Sequence, residues 1–187
     1  VTTGVLQSTG CMLPIEWWHL GRHEFDPAMA KLAGALGVKV VDASEVAKRV
    51  QYPGVLNGYE LKAFALRYTD LAEVLLLDAD NVVTGDPTYL FDTPEYRQYG
   101  AVLWTDLPPA TRPEWITEMA WRVGGLPNLP HVAAVESGQL LVNRRRCGRQ
   151  LAIAVHMNKW SEFWYQHVFG DKDTFPIAWM TDAYFDR

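Results

Sequence analysis

The segment Val74-Leu75-Leu76-Leu77-Asp78-Ala79-Asp80-Asn81 constrains this chain more than any other. Four consecutive apolar residues leave no polar face, which is the pattern of a strand buried on both sides within a parallel sheet. Two carboxylates follow it directly. Open α/β sheets place their ligand crevice at the C-terminal ends of strands. In extended chain, residues i and i+2 point to the same side, so Asp78 and Asp80 are expected to converge on one point. Two hard oxygen donors there suit Mg²⁺ or Mn²⁺, which keep further positions for water and substrate phosphates. Without a cation the two charges would repel, and one would tend to hold a proton. The plain structural alternative is a turn after a strand, where Asp and Asn are common.

The rest of the chain alternates strand and helix signals. Leu13 to Leu20 reads as a strand with Pro14 near its start, and Val38 to Val41 as a short one. Between them, Met29, Leu32, Ala33 and Leu36 recur at helical spacing from Pro27, and Gly37 stops the helix. Asn57 is a candidate cap for a helix whose apolar face is Leu61, Phe64, Ala65 and Tyr68. Further along come a strand from Gly100 to Trp104, a Pro-rich loop from Leu107 to Pro113 and a helix from Glu114 to Val123. An irregular loop follows from Gly124 to Pro130, then a strand from Gln139 to Asn143. The remainder reads as mostly helix, broken at Gly170 and Pro176. This alternation predicts an α/β fold with a mixed, mainly parallel sheet flanked by helices. No linker, repeat or low-complexity stretch divides residues 1–187, so a single domain is expected.

Composition excludes several classes. With 187 residues, 49% hydrophobic and 21% charged, the chain can bury a sizeable core and is not disordered. A net charge of -5 gives no electrostatic footprint for nucleic acid. The one basic run, Arg144-Arg145-Arg146, reads as a solvated helix start, with phosphate binding as the alternative. Cys11 and Cys147 are too few for a disulfide framework, and whether they pair is left open. No apolar run is long enough to span a bilayer and no signal peptide opens the sequence. Most of the eight tryptophans are expected in the core or at its edge. His156, in an apolar helix, reads as a buried or half-buried side chain. Glu136 and Asp106, acids near strand ends, read as structural or solvent-facing.

Four blocks, in order, resemble one family. They are Gly10-Cys11-Met12-Leu13-Pro14-Ile15-Glu16; Lys62-Ala63-Phe64 with Val74 to Val83, Gly85-Asp86-Pro87 and Leu90-Phe91; Glu136 to Asn143; and Gly170-Asp171-Lys172-Asp173-Thr174-Phe175. Together they are similar to the GT-A-fold glycosyltransferases, most of all to the MNN1-like α-mannosyltransferases, with glycogenin-like enzymes as relatives. The resemblance implies a GT-A-like, Rossmann-like fold and transfer of a sugar from a nucleotide-diphosphate donor to a glycan hydroxyl, with retention. It implies GDP-mannose as donor, with a UDP-sugar as the other option, and a glycan or glycoprotein as acceptor.

Residue by residue, it implies that Asp78 and Asp80 hold Mn²⁺ or Mg²⁺ and, through it, the donor diphosphate. Lys62 would lie near the donor. Ser137, Gly138 and Gln139 would border the sugar pocket, and Asp171, Lys172 and Asp173 would face the transferred sugar. Sugar hydroxyls need paired donors and acceptors, which Gln and Asp supply, and a glycine lets backbone approach a ligand closely. Lys172 beside two acids also reads as a neutralising partner. The late His that serves glycogenin-like enzymes as third metal ligand has no counterpart after His167.

The chain departs from the family pattern at both ends. The first strand and the C-terminal end of a GT-A domain are not matched, so a fragment is expected, or a partner chain or further segment that completes the sheet. A Golgi lumen location follows only if the family's usual eukaryotic setting holds. Two rival readings remain: a non-catalytic sugar- or nucleotide-binding relative or assembly subunit, and a haloacid-dehalogenase-type phosphohydrolase with Asp78 as nucleophile and Asp80 as acid/base.

Overall fold

The structure, a computed structural model, describes residues 2–21, 23–106, 116–127 and 134–185. It is an α/β fold with helices packed on small sheets. Helix α1 (Thr2–Ser8) leads to strand β1 (Glu16–His19), then α2 (Pro27–Ala35) to β2 (Lys39–Asp42). Helices α3 (Ala43–Arg49) and α4 (Glu60–Tyr68) precede β3 (Glu73–Leu77). A 3-10 segment (Pro87–Asp92) and α5 (Pro94–Tyr99) lead to β4 (Ala101–Thr105). Helix α6 (Glu118–Val123), β5 (Val135–Asn143), α7 (Gly148–Lys159), α8 (Ser161–Trp164) and α9 (Thr174–Phe185) complete the order.

The strands and helices α2, α4 and α6 to α9 overlap the positions expected from the sequence, whereas α1, α3 and α5 have no counterpart in that pattern and strand direction differs in part. β1 and β2 pair in parallel, with Trp17 opposite Val40. The other sheet has the order β3-β5-β4, and both of its pairings are antiparallel. The expectation of a mainly parallel sheet is therefore corrected for this half of the fold. An apolar run reports burial, not the direction of the neighbouring strand. Val74 to Leu77 are also only half-buried, because the described residues place β3 at the edge of its sheet, while Leu140, Leu141 and Val142 of central β5 are fully buried.

The main core lies on the helix-covered side of this sheet. Ala63 and Leu66 of α4, Leu140 and Val142 of β5, Leu151, Ala154 and Val155 of α7, and Phe175 and Ala178 of α9 form one cluster. Burying each such aliphatic side chain contributes about 1.5–3 kcal/mol against the entropy of ordering it. A second cluster under β1 joins Leu20, Ala43, Val46 and Phe64.

Local chemistry explains the ends of the elements. The Asp26 side chain accepts the Met29 N–H with Pro27 in the first turn of α2, a strong start signal. Gly100 closes α5 at φ 75°, the left-handed cap that favours glycine. Asn57 does not cap α4. Its backbone N–H instead donates to Glu60 Oε2 at 3.3 Å. Pro176 does not break the last helix, because it falls in the first turn of α9, where a missing N–H costs nothing.

The arginine run is also reassigned. Arg144 donates through Nε, Nη1 and Nη2 to the carbonyls of Leu66, Leu71 and Arg67. Arg146 donates to the carbonyls of Arg97 and Gln98. The two guanidinium groups thus cover open carbonyls at the ends of α4 and α5 and that of Leu71 in the link to β3.

Cys11 and Cys147 are both buried and free. His156 is exposed, not half-buried. No helix among the described residues is long and apolar enough to cross a membrane. The loop from Leu107 to Pro113, the start of the helix expected from Glu114, Trp115 and the end of the loop at Pro130 lie outside the described residues.

Candidate active site

The open end of β3 meets α4, the middle of β5 and the turn before α9. The Lys62 Nζ donates to Asp78 Oδ2 at 2.8 Å and to Ser137 Oγ at 3.1 Å, and lies 3.9 Å from Asp171 Oδ2. Four expected site residues from three separate blocks thus form one cluster. The Lys62 side chain is 19% exposed and that of Asp78 33%, so the pair faces an opening rather than the core.

Asp78 and Asp80 are not held as neighbours in a strand. β3 ends at Leu77, and residues 78–81 form a turn closed by the Asn81 N–H on the Asp78 carbonyl at 3.0 Å. The same-side argument for i and i+2 applies only to extended chain, so it does not apply here. Asp78 faces Lys62, and Asp80 is exposed at the turn. Two further bonds lock the turn to β5. Gly138 O accepts the Asp78 N–H at 2.8 Å and the Asn81 Nδ2 at 2.6 Å.

The β5 segment Ser137-Gly138-Gln139 sits at an irregularity in the sheet. Leu103 pairs with Leu140 and the next β4 residue, Trp104, with Glu136. The three residues between are left out of the β4 ladder, a bulge of the kind that re-aims side chains at sites. Ser137 is buried against Lys62, and Gln139 lies opposite Leu77, the last residue of β3. Gly138 is also required by the packing around it. A Cβ there would stand 3.0 Å from Glu136 Oε1 and 3.4 Å from Asn81 Nδ2. The missing side chain thus makes room for protein atoms. Glu136 accepts the Gly138 N–H at 2.7 Å and so has the structural role expected of it.

The Asp171-Lys172-Asp173 turn splits into two functions. Asp171 is buried, and its Oδ2 has no hydrogen-bond partner. Burial pushes its carboxyl above the ordinary carboxylate value, opposed by the Lys62 ammonium and the Ser137 hydroxyl. Lys172 Nζ reaches Asp106 Oδ2 at 2.6 Å, beyond the end of β4, and lies over the Phe169 ring. It is the neutralising partner that the sequence allowed. Asp173 accepts the Phe169 N–H at 2.8 Å, closing the turn. Burial raises its carboxyl also, against the Phe169 N–H and the Lys172 charge.

A buried polar network behind this turn had no sequence signal. Tyr165 donates to Asn158 Oδ1 at 2.6 Å, Asn158 Nδ2 donates to Thr174 Oγ1 at 2.9 Å, and Thr174 Oγ1 donates to the Asp171 carbonyl at 2.6 Å. It fixes the backbone of Asp171 from beneath.

Among the described residues, no group of three His, Cys, Asp or Glu side chains is arranged to hold a metal. Asp78 and Asp80 supply two hard carboxylates at an opening, which is the usual protein share at a Mg²⁺ or Mn²⁺ site shared with phosphate and water. The chemistry of these donors suits such an ion, while the turn leaves Asp78 on Lys62 and Asp80 exposed.

This architecture is of the GT-A type. Mouse xyloside xylosyltransferase 1, solved in its apo form, matches with a TM-score of 0.52 over 94% of this chain and 77% of that one, at 14% identity. Residues 3–126 and 125–183 match the family model described as "Mannosyltransferase putative", and the chain belongs to that family. It is 30% identical to alpha-1,2-mannosyltransferase MNN22 of Candida albicans over 65% of this chain and 27% of that protein. It is 25% identical to alpha-1,2-mannosyltransferase MNN23 of the same organism over 92% of this chain and 36% of that protein. The chain therefore spans about a third of the length of these curated relatives.

Proposed function

We propose that this chain is the nucleotide-sugar-binding and catalytic region of a metal-dependent, retaining mannosyltransferase. The observation that carries the reading is the joining of Lys62, Asp78, Ser137 and Asp171 at the open end of β3, in a chain whose family is mannosyltransferase. The donor of choice is GDP-mannose, with a UDP-sugar second, and the acceptor is a glycan hydroxyl. Family membership over residues 3–183 displaces the phosphohydrolase alternative.

Breaking the bond between sugar and diphosphate develops negative charge on the leaving phosphate. A divalent cation held by Asp78 and Asp80 would supply Lewis acidity there. The chain's own residues would do the rest. Lys62 adds a positive charge beside the carboxylates. Gln139 and Asp171 are the hydrogen-bonding groups proposed for sugar hydroxyls. The turn locked by Gly138 keeps the Asp78 backbone in register with β5. Lys172, tied to Asp106, holds the 169–173 turn against the end of β4. Either a partner chain or a further segment of the same protein is proposed to complete the sheet.

Calorimetric titration of GDP-mannose, UDP-glucose and UDP-galactose tests the reading, with Mn²⁺ and with EDTA, on wild type and Asp80→Ala. Metal-dependent binding of one donor, lost in Asp80→Ala, is the expected result. A folded protein that binds no donor would turn the assignment to a non-catalytic relative or assembly subunit.

A further inference from the structure

The Lys62 ammonium stands between two unequal carboxylates. It is 2.8 Å from Asp78 Oδ2 and 3.9 Å from Asp171 Oδ2. Asp78 is one-third exposed and already hydrogen-bonded to the lysine. Asp171 is buried, and its Oδ2 has no hydrogen-bond partner, a state that buried oxygens tolerate poorly.

We propose that Lys62 is a movable counter-ion that neutralises Asp78 until a divalent cation takes that carboxylate, and then crosses to Asp171. This rests on the reading of Asp78 as a cation ligand.

The geometry supplies both ends of the movement. A shift of roughly an ångström would bring Nζ within hydrogen-bond distance of Asp171 Oδ2. Lysine is suited to it, with a point charge, a flexible stem and three rotatable donors. An ammonium and a dication on one carboxylate repel each other, which drives the departure. The orphaned Oδ2 provides the destination, so the charge need not leave the protein. Ser137 Oγ, 3.1 Å from Nζ at the start, lies beside the path. A lysine near the site but not bonded to Asp78 would weaken cation binding only by repulsion through space. A counter-ion on Asp78 must be displaced, so it weakens that binding.

The test is titration of Mn²⁺ into the nucleotide-free protein, with free Mn²⁺ read by electron paramagnetic resonance and folding checked by circular dichroism. Lys62→Gln should bind Mn²⁺ roughly tenfold more tightly than wild type, the scale of one charge-assisted hydrogen bond no longer in competition. Lys62→Arg keeps the charge and should not show this gain. Asp171→Asn removes the charge at the destination and should weaken Mn²⁺ binding. Equal affinity in wild type and Lys62→Gln, with binding lost in Asp78→Asn, would overturn the counter-ion while leaving Asp78 as a ligand. An unchanged affinity in folded Asp171→Asn would overturn the crossing. Saturable binding in neither wild type nor Lys62→Gln would overturn the cation site as well.

Discussion

Thr174 Oγ1 donates to the main-chain carbonyl of Asp171 at 2.6 Å, and through that bond a buried network reaches the candidate site. Asn158 is its hinge, with one donor on Thr174, one on the Ala154 carbonyl and its Oδ1 on the Tyr165 hydroxyl. Asn158→Leu removes these bonds and strands the Tyr165 hydroxyl. The expected loss is about 2–4 kcal/mol of stability, from unsatisfied buried polar groups, read as a lower urea midpoint with an unchanged slope.

Arg144 should behave as a structural residue. Arg144→Met leaves three carbonyls near the end of α4 without their guanidinium. A loss of about 2–3 kcal/mol is expected from charge-assisted hydrogen bonds of this kind. Arg144→Lys should recover only part of it, because an ammonium cannot match the planar fork. Nucleotide-sugar affinity measured well below the melting temperature should stay near wild type. A variant as stable as wild type would count against the capping role.

Gly138→Ala tests the packing reason for that glycine. The added Cβ meets Glu136 Oε1 at 3.0 Å and Asn81 Nδ2 at 3.4 Å. Because Gly138 O also holds the Asp78 N–H and Asn81, displacement passes to the carboxylate turn. Mn²⁺-dependent donor binding should weaken, with an overpacking penalty of about 1–3 kcal/mol in stability. Unchanged affinity and stability together would show that the turn absorbs a methyl group.

The buried acids predict a pH dependence. Asp171 has its folded carboxyl raised above the ordinary value of 3.8, chiefly by burial. A raised group contributes stability that is fully present below the unfolded value and lost as pH rises through the folded one. The window therefore opens near pH 3.8 and extends upward. Asp171→Asn should flatten the stability profile in that window and gain relative to wild type as pH rises toward neutrality. Urea denaturation at a series of pH values reads this directly, and parallel profiles for the two proteins would contradict it.

The sequence by itself determined the local structure and the family. The apolar run Val74–Leu77 and the helical spacing from Pro27 are local signals, and β3 and α2 sit where those patterns put them. The four ordered blocks identified the family, and three of them supplied the residues that meet around Lys62.

Tertiary structure decided what local periodicity cannot encode. The run that forms β3 reports burial, but only its pairing with β5 sets its antiparallel direction. The i and i+2 rule placed Asp78 beside Asp80, and the turn closed by Asn81 replaced that geometry. Arg144 and Arg146 read as one solvated run because their carbonyl partners lie on α4, α5 and the segment before β3, far away in sequence. The bulge in β5, the Asn158 network and the placing of Lys62 between Asp78 and Asp171 arise only when distant segments pack. Each depends on contacts between residues from separate elements, and those distances are fixed by the fold rather than by spacing along the chain.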